Sequence, residues 1–237
     1  MGTSAGYSLP TGGNWSKVKR EVTTWVSSGA TDRDSVGHVV SGYVGAHGGG
    51  RQAAQQMSHA TRAGSRLAGF VGSVAQNGLA ETLRGLNLGE YIGRSATEVL
   101  RGLRSYLLGD GSLIEDDIVQ NAYMDFYEEQ LDGDESFEGL ETLLRQTDIG
   151  TMLVRFFGHC IYRQFLLQFH ERMMRKVDIP TTQRLLGLVK DYIFTKLRLV
   201  THEKDLSAVD WNGGDGEALS GQILQSALEF MEANNAD

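Results

Sequence analysis

GTMLVRFFGHCIYRQFLLQFHERMMRK, residues 150–176, is the stretch whose reading decides the fold. Its apolar set is Met152, Val154, Phe156, Phe157, Cys160, Ile161, Phe165, Leu166, Leu167, Phe169 and Met173. These positions do not alternate as in a half-buried strand, and on a 3.6-residue helix they cover more than one face. A helix that is apolar nearly all round needs neighbours on every side, so the segment predicts the central, buried helix of an all-α protein.

Working outward, the same periodicity recurs on both sides. Pro180 starts a helix running to about residue 200, and Asn212-Gly213-Gly214 precedes a last one carrying Leu219, Ile223, Ala227 and Phe230. Upstream, a short helix passes through Leu140, Leu143 and Leu144. Before it, Ile118, Ala122, Phe126 and the Tyr123/Tyr127 pair predict an amphipathic helix over about 115–131, with Asp117, Asp125, Glu128 and Glu129 on its outer face. Ser95 and Glu98 form a capping box for a helix whose core side is Val99, Leu100, Leu103, Tyr106 and Leu107. Shorter helices are expected over 79–86 and 34–46. A helix over 51–76 is rich in Ala and Gly, which allows close approach to a neighbour, expected to be the short helix before it. The first helix is expected to be capped by Asn14, with Trp15, Val18, Val22, Trp25 and Val26 on one face. The prediction is an all-α helical bundle with a flexible Gly/Ser-rich N-terminal arm. Its parts are a tail over 1–13, a Gly/Ala-rich helical region over 14–78, and a bundle domain over 79–237 that contains an acidic segment, 115–141.

Composition narrows the function classes. The chain is 41% hydrophobic, has only two prolines, and has one cysteine, Cys160, so no internal disulfide can form. No run of about eighteen apolar residues offers a membrane span, the first twenty residues lack the apolar core of a secretory signal, and Gly6 stands where myristoylation wants Ser or Thr. The expectation is a soluble cytoplasmic protein with no membrane partner. The net charge of −8 is uneven: residues 1–114 carry +4, 115–141 carry −11 with no basic residue, and 142–237 carry −1. A protein that grips nucleic acid carries a basic domain or stripe, so direct nucleic-acid binding is not expected.

The candidate chemistry is sparse. His159-Cys160 is the one pair suited to nucleophilic catalysis, but adjacent helical residues point about 100° apart and a thiol in so apolar a helix is ordinarily inert packing. His159, His170 and His202 lack the i,i+4 spacing of a helical metal pair. The acidic face of Asp117, Asp125, Glu128 and Glu129 reads as a solvated face, as a partner-docking surface or, least, as a metal or catalytic cluster. Gly48-Gly49-Gly50 precedes a helix as in an anion site, but Arg51-Gln52-Ala53 follows where a phosphate-binding loop has Lys and Ser or Thr, so a hinge is expected. Arg51, Arg62 and Arg66 are left as possible anion contacts. From residues alone no enzyme site, cofactor or metal is expected.

The N-terminus is more suggestive. Removal of Met1 from Met1-Gly2-Thr3-Ser4 would leave the amine of Gly2 free, and such an amine has a pKa of about 7.7–8.0, so part of it is nucleophilic at neutral pH. The Gly/Ser-rich stretch behind it reaches at most about 45 Å and about 20 Å on average if flexible.

Three stretches resemble a known family. They are Met1-Gly2-Thr3-Ser4 with the tail behind it, Gly49-Gly50-Arg51-Gln52-Ala53-Ala54-Gln55-Gln56-Met57 through Thr61-Arg62-Ala63-Gly64, and Tyr162-Arg163-Gln164-Phe165. Together, in this order, they resemble the QatB family of the bacterial Qat anti-phage system. The resemblance implies partners: a QueC-like enzyme (the QatC type), an ATPase and a TatD-like nuclease. QueC enzymes use ATP to activate a carboxylated deazaguanine and couple it to an amine. The resemblance therefore implies Gly2 as a modification acceptor, with Thr3 and Ser4 as recognition residues. Glycine suits the role because no side chain crowds the amine. The alternative it leaves open is a helical adaptor of a defence complex whose tail carries no chemistry.

Overall fold

The computed structural model describes residues 12–29, 33–108, 114–130, 134–200, 206, 209–211 and 213–233. Among them the chain forms eleven α-helices, one 3-10 turn at Gly89–Tyr91 and no strand. The predicted central helix is Ile149–Met174 (α9). It is wrapped by Gly13–Ser27 (α1), Ser58–Asn77 (α4), Ile114–Gln130 (α7), Ile179–Leu197 (α10) and Gly214–Ala233 (α11). Phe156, Phe157, Cys160, Ile161, Phe165 and Phe169, which point to different sides of α9, are all buried. The remaining helices are Arg33–Ala46 (α2), Gly50–Gln56 (α3), Leu79–Gly85 (α5), Ala96–Leu108 (α6) and Phe137–Gln146 (α8). One apolar core runs from Trp15 on α1 to Met231 on α11. No helix among the described residues is long and apolar enough to cross a membrane.

Local chemistry sets the helix starts. Asp148, Asp178 and Ser136 cap α9, α10 and α8 by accepting from the amides of Thr151, Thr181 and Gly139, at 2.8, 2.9 and 2.9 Å. The Ser95/Glu98 box forms as predicted: the Ser95 amide donates to Glu98 Oε2 at 3.2 Å and the Glu98 amide to Ser95 Oγ at 3.4 Å. Asn14, by contrast, is not a cap. Helix α1 begins one residue earlier, and Gly12, at φ +139°, stands before it with no side chain to accept a bond.

The small-residue helix departs further from expectation. It is two helices, α3 and α4, parted at Met57, whose backbone (φ −101°, ψ 34°) leaves the helical region. Its close neighbour is α11 rather than α2. A Cβ on Gly50 would sit 2.6 Å from the amide nitrogen of Glu229, and one on Gly64 would sit 2.9 Å from Ser220 Oγ and 2.8 Å from Phe157 Cζ. Ser220 Oγ also donates to the carbonyl of Thr61 at 2.7 Å. Small residues thus admit the last helix of the chain, a pairing that local sequence could not announce. The α2–α3 turn is made by Gly48 and Gly49, both at positive φ (+95° and +91°), where glycine carries no steric cost.

Candidate functional site

Helix α7 buries Val119, Ala122, Tyr123, Phe126 and Tyr127 against the body. Asp125 and Glu129 lie at the margin of that apolar stripe, and this placement splits the four acidic residues into two pairs. Asp117 and Glu128 are exposed. Asp125 and Glu129 instead reach across to the basic residues of α9 and α10. Asp125 takes both arms of the Arg163 guanidinium: Arg163 Nε donates to Oδ2 at 2.5 Å and Nη2 donates to Oδ1. A bidentate pair of this kind fixes geometry as well as charge. Glu129 Oε1 accepts from Lys190 Nζ at 2.6 Å, while its Oε2 lies 3.2 Å from His159 Nε2 and 3.9 Å from Arg155 Nη2.

His159 is the buried centre of this cluster. Its side chain is 0% exposed, and the rings of Phe194 and Phe126 stand edge-on to it at 4.8 and 6.3 Å. Burial lowers its pKa. The Glu129 carboxylate pulls the other way, the Lys190 ammonium adds to the lowering and Asp125, 4.0 Å from Nδ1, opposes it; burial prevails, and the imidazole is neutral at pH 7. For Glu129, burial pushes the carboxyl pKa up, but the Lys190 hydrogen bond and the charges of His159, Lys190 and Arg155 outweigh it and hold the carboxyl below its ordinary value. The arrangement ties α7 to α9 and α10. It also leaves His159 without a well-aligned hydrogen bond at either ring nitrogen.

Cys160 is fully buried, and burial pushes its thiol well above the ordinary range, so it is not poised as a nucleophile. No group of three or more His, Cys, Asp or Glu among the described residues is arranged to hold a metal ion. The three arginines are not brought together as one anion site. Arg51 and Arg62 are exposed on α3 and α4, whereas Arg66 donates to the carbonyls of Tyr106 and Leu107, 3.1 and 3.3 Å away, at the end of α6. The amide of Gly50 is already taken, by Glu232 Oε2 at 2.9 Å. Gly2, Thr3 and Ser4 lie outside the described residues.

On the open side of the α7–α9 contact a groove of about 580 Å³ is lined by Asp117, Ile118, Tyr162, Leu166, Leu167 and His170 among others. Leu167 is 37% exposed there. Residue types alone did not flag Arg163, Lys190 or Arg155 as partners of the acidic face. The available signal was their setting: His159 and Arg163 are polar interruptions of the most apolar helix, which need polar partners when buried.

A family model described as Qat anti-phage system associated protein QatB matches residues 48–231. No curated protein and no solved structure matches the chain.

Proposed function

The chain belongs to the QatB family, which places its role in Qat anti-phage defence, and from that premise we propose that it acts without catalysis of its own. It docks a QueC-like enzyme and presents the amine of Gly2 for ATP-dependent attachment of a deazaguanine. The observation that carries this reading is the burial of the two adjacent residues the sequence offers for nucleophilic catalysis. Cys160 and His159 are both at 0% exposure, the thiol held in its protonated form and the imidazole enclosed by Phe126 and Phe194. Enclosure of these two groups in the core, together with the Gly2 acceptor that the family resemblance implies, fits a substrate better than an enzyme. The docking surface is the acidic edge of α7, where Asp117 lines the Leu167 groove and Glu128 is exposed further along the helix.

The test is the intact mass of the protein made with its neighbouring genes and made alone. A mass increase matching a deazaguanine amide, located on Gly2 by peptide sequencing and lost in Gly2→Trp with the fold intact, is the expected result. Equal masses in the two preparations would overturn the acceptor role and leave the body as an adaptor of the defence complex.

A further inference from the structure

A cavity of about 1200 Å³ lies beside the His159 cluster, between α4, α9 and α10. Ligand pockets typically enclose roughly 300–1,000 Å³, so the space takes a cofactor-sized molecule. Four basic residues line it: Arg145 from the last turn of α8, Arg155 from α9, Lys190 from α10 and Arg198, the C-cap of α10. In a chain of net charge −8, this is a local inversion of sign. Lys190, Phe194 and Arg198 are spaced i, i+4, i+8, so α10 offers one stripe of cation, aromatic ring and cation. Ile149, Gly150 and Thr151, the first turn of α9, form another part of the wall. The Thr151 amide is taken by Asp148, but the amides of Ile149 and Gly150 have no partner within the helix, and the positive end of the 26-residue helix dipole points the same way.

Three carboxylates also line the cavity, and their commitments decide what remains. Glu129 is shared among Lys190, His159 and Arg155, and Asp148 is the cap of α9. Asp191 is exposed at the rim. Arg145 is held by Glu141 at 3.0 Å. Arg155 is 3.9 Å from Glu129 and 3.2 Å from the side-chain amide oxygen of Gln130, whereas Arg198, exposed, has no ion pair among the described residues. With four cations against three carboxylates the wall carries a net charge of +1, and its free positive charge is that of Arg198, beside Arg155, which has one long ion pair and a neutral amide as partners. The remaining wall mixes polar Gln76, Thr147 and Thr151 with an apolar patch that includes Val71, Val154, Leu197 and Phe194, over whose ring Lys190 Nζ lies at 5.8 Å. We propose that this cavity binds a nucleotide, with its phosphates against Arg155, Arg198 and the first amides of α9 and its base against Phe194. Arginine forks and helix N-terminal amides are complementary to phosphate oxygens, and a flat ring is complementary to an aromatic side chain.

The test is titration of the full-length protein with a fluorescently labelled ATP, followed by displacement with unlabelled compounds. Saturable binding is expected, with displacement by ATP and by pyrophosphate at lower concentration than by adenosine. Arg155→Ala/Arg198→Ala should weaken binding at least about tenfold, the loss of charge-assisted hydrogen bonds. Both side chains are solvent-accessible, and an unchanged melting temperature would show that the double variant is folded. Arg62→Ala, on the separate surface of α4, should bind as the parent does. Gly2→Trp should also bind unchanged, so the outcome does not depend on the fate of the N-terminus. The proposal is overturned by absence of binding up to about 1 mM nucleotide, by equal displacement with adenosine, or by equal losses in the Arg62 and Arg155/Arg198 variants.

Discussion

Replacing Gly50 by alanine should destabilise the protein, although alanine is the better helix former. The added Cβ would lie 2.6 Å from the Glu229 amide nitrogen and 2.8 Å from its Cα. Carbon atoms rest at about 3.5–4.0 Å, and these contacts are helix backbone rather than a side chain that can swing away. Helix α11 must therefore withdraw by about 1 Å. That movement stretches the bond from the Gly50 amide to Glu232 Oε2 and the one from Ser41 Oγ to the Glu232 carbonyl, now 2.9 and 3.2 Å. Overpacking of this kind costs about 1–3 kcal/mol, against a propensity gain of no more than about 1 kcal/mol. The net loss of about 1–2 kcal/mol corresponds to a fall in Tm of about 2–8 °C for a chain of this size. Gly187→Ala is the matched control. It lies in α10, a Cβ there meets nothing within 4 Å, and the same propensity term should raise Tm by about 2–4 °C. Circular dichroism melts at 222 nm measure both. A Gly50→Ala protein melting at or above the parent would refute the α3–α11 packing on which the argument rests.

Asp125→Ala should cost about 1–3 kcal/mol, because it strips the half-buried Arg163 of its bidentate acceptor, whereas Glu128→Ala, exposed one turn on, should stay within about 0.5 kcal/mol; urea unfolding separates them. Acidification from pH 7.5 to 5.5 should destabilise the fold. The pKa values of His47 and His159 are both lowered from 6.5 by burial, so the unfolded chain binds protons that the native state refuses. Their contribution is fully present above about pH 6.5 and is lost as pH falls below it. A urea midpoint unchanged between pH 7.5 and 5.5 would contradict this, and His159→Gln should flatten the slope. Charge reversal of Asp117 and Glu128 together should leave the melt unchanged and abolish phage protection, and full protection by that variant would remove the acidic edge of α7 as a docking surface.

The central helix could be read directly because its cause is local in sequence: residues 150–176 are apolar all round, and only a buried helix satisfies such a pattern. The caps at Ser95, Ser136 and Asp148 depend on spacings of three residues and are equally local. What the sequence does not display is pairing at a distance. The Gly/Ala face of α3 and α4 announces a close neighbour but not its identity, and the partner proves to be α11, some 160 to 180 residues along the chain. The same limit applies at the candidate site. Asp125 and Glu129 are legible as acidic and Arg163 and Lys190 as basic, yet only the packing angle of α7 on α9 and α10 makes them partners.

That partnership alters what the acidic segment can do. A helix whose carboxylates all faced water would be a single docking surface, and reversing any of its charges would report on docking. Here the inner carboxylates hold α7 in place: removing Asp125 uncovers Arg163, and removing Glu129 releases Lys190, Arg155 and the buried His159 at once. Loss of defence in an Asp125 or Glu129 variant therefore reports on the body's integrity and on the cavity that Glu129 borders, not on a partner. Asp117 and Glu128 make no ion pair among the described residues, although Glu128 lies within the field of Arg163, so their exposed charge is available for recognition. Charge that is satisfied internally adds little to long-range attraction, whereas exposed charge steers association and weakens with salt. The segment's strong negative charge is thus divided between holding the helix and addressing a basic surface on another protein. The division falls between residues one position apart, Glu128 and Glu129.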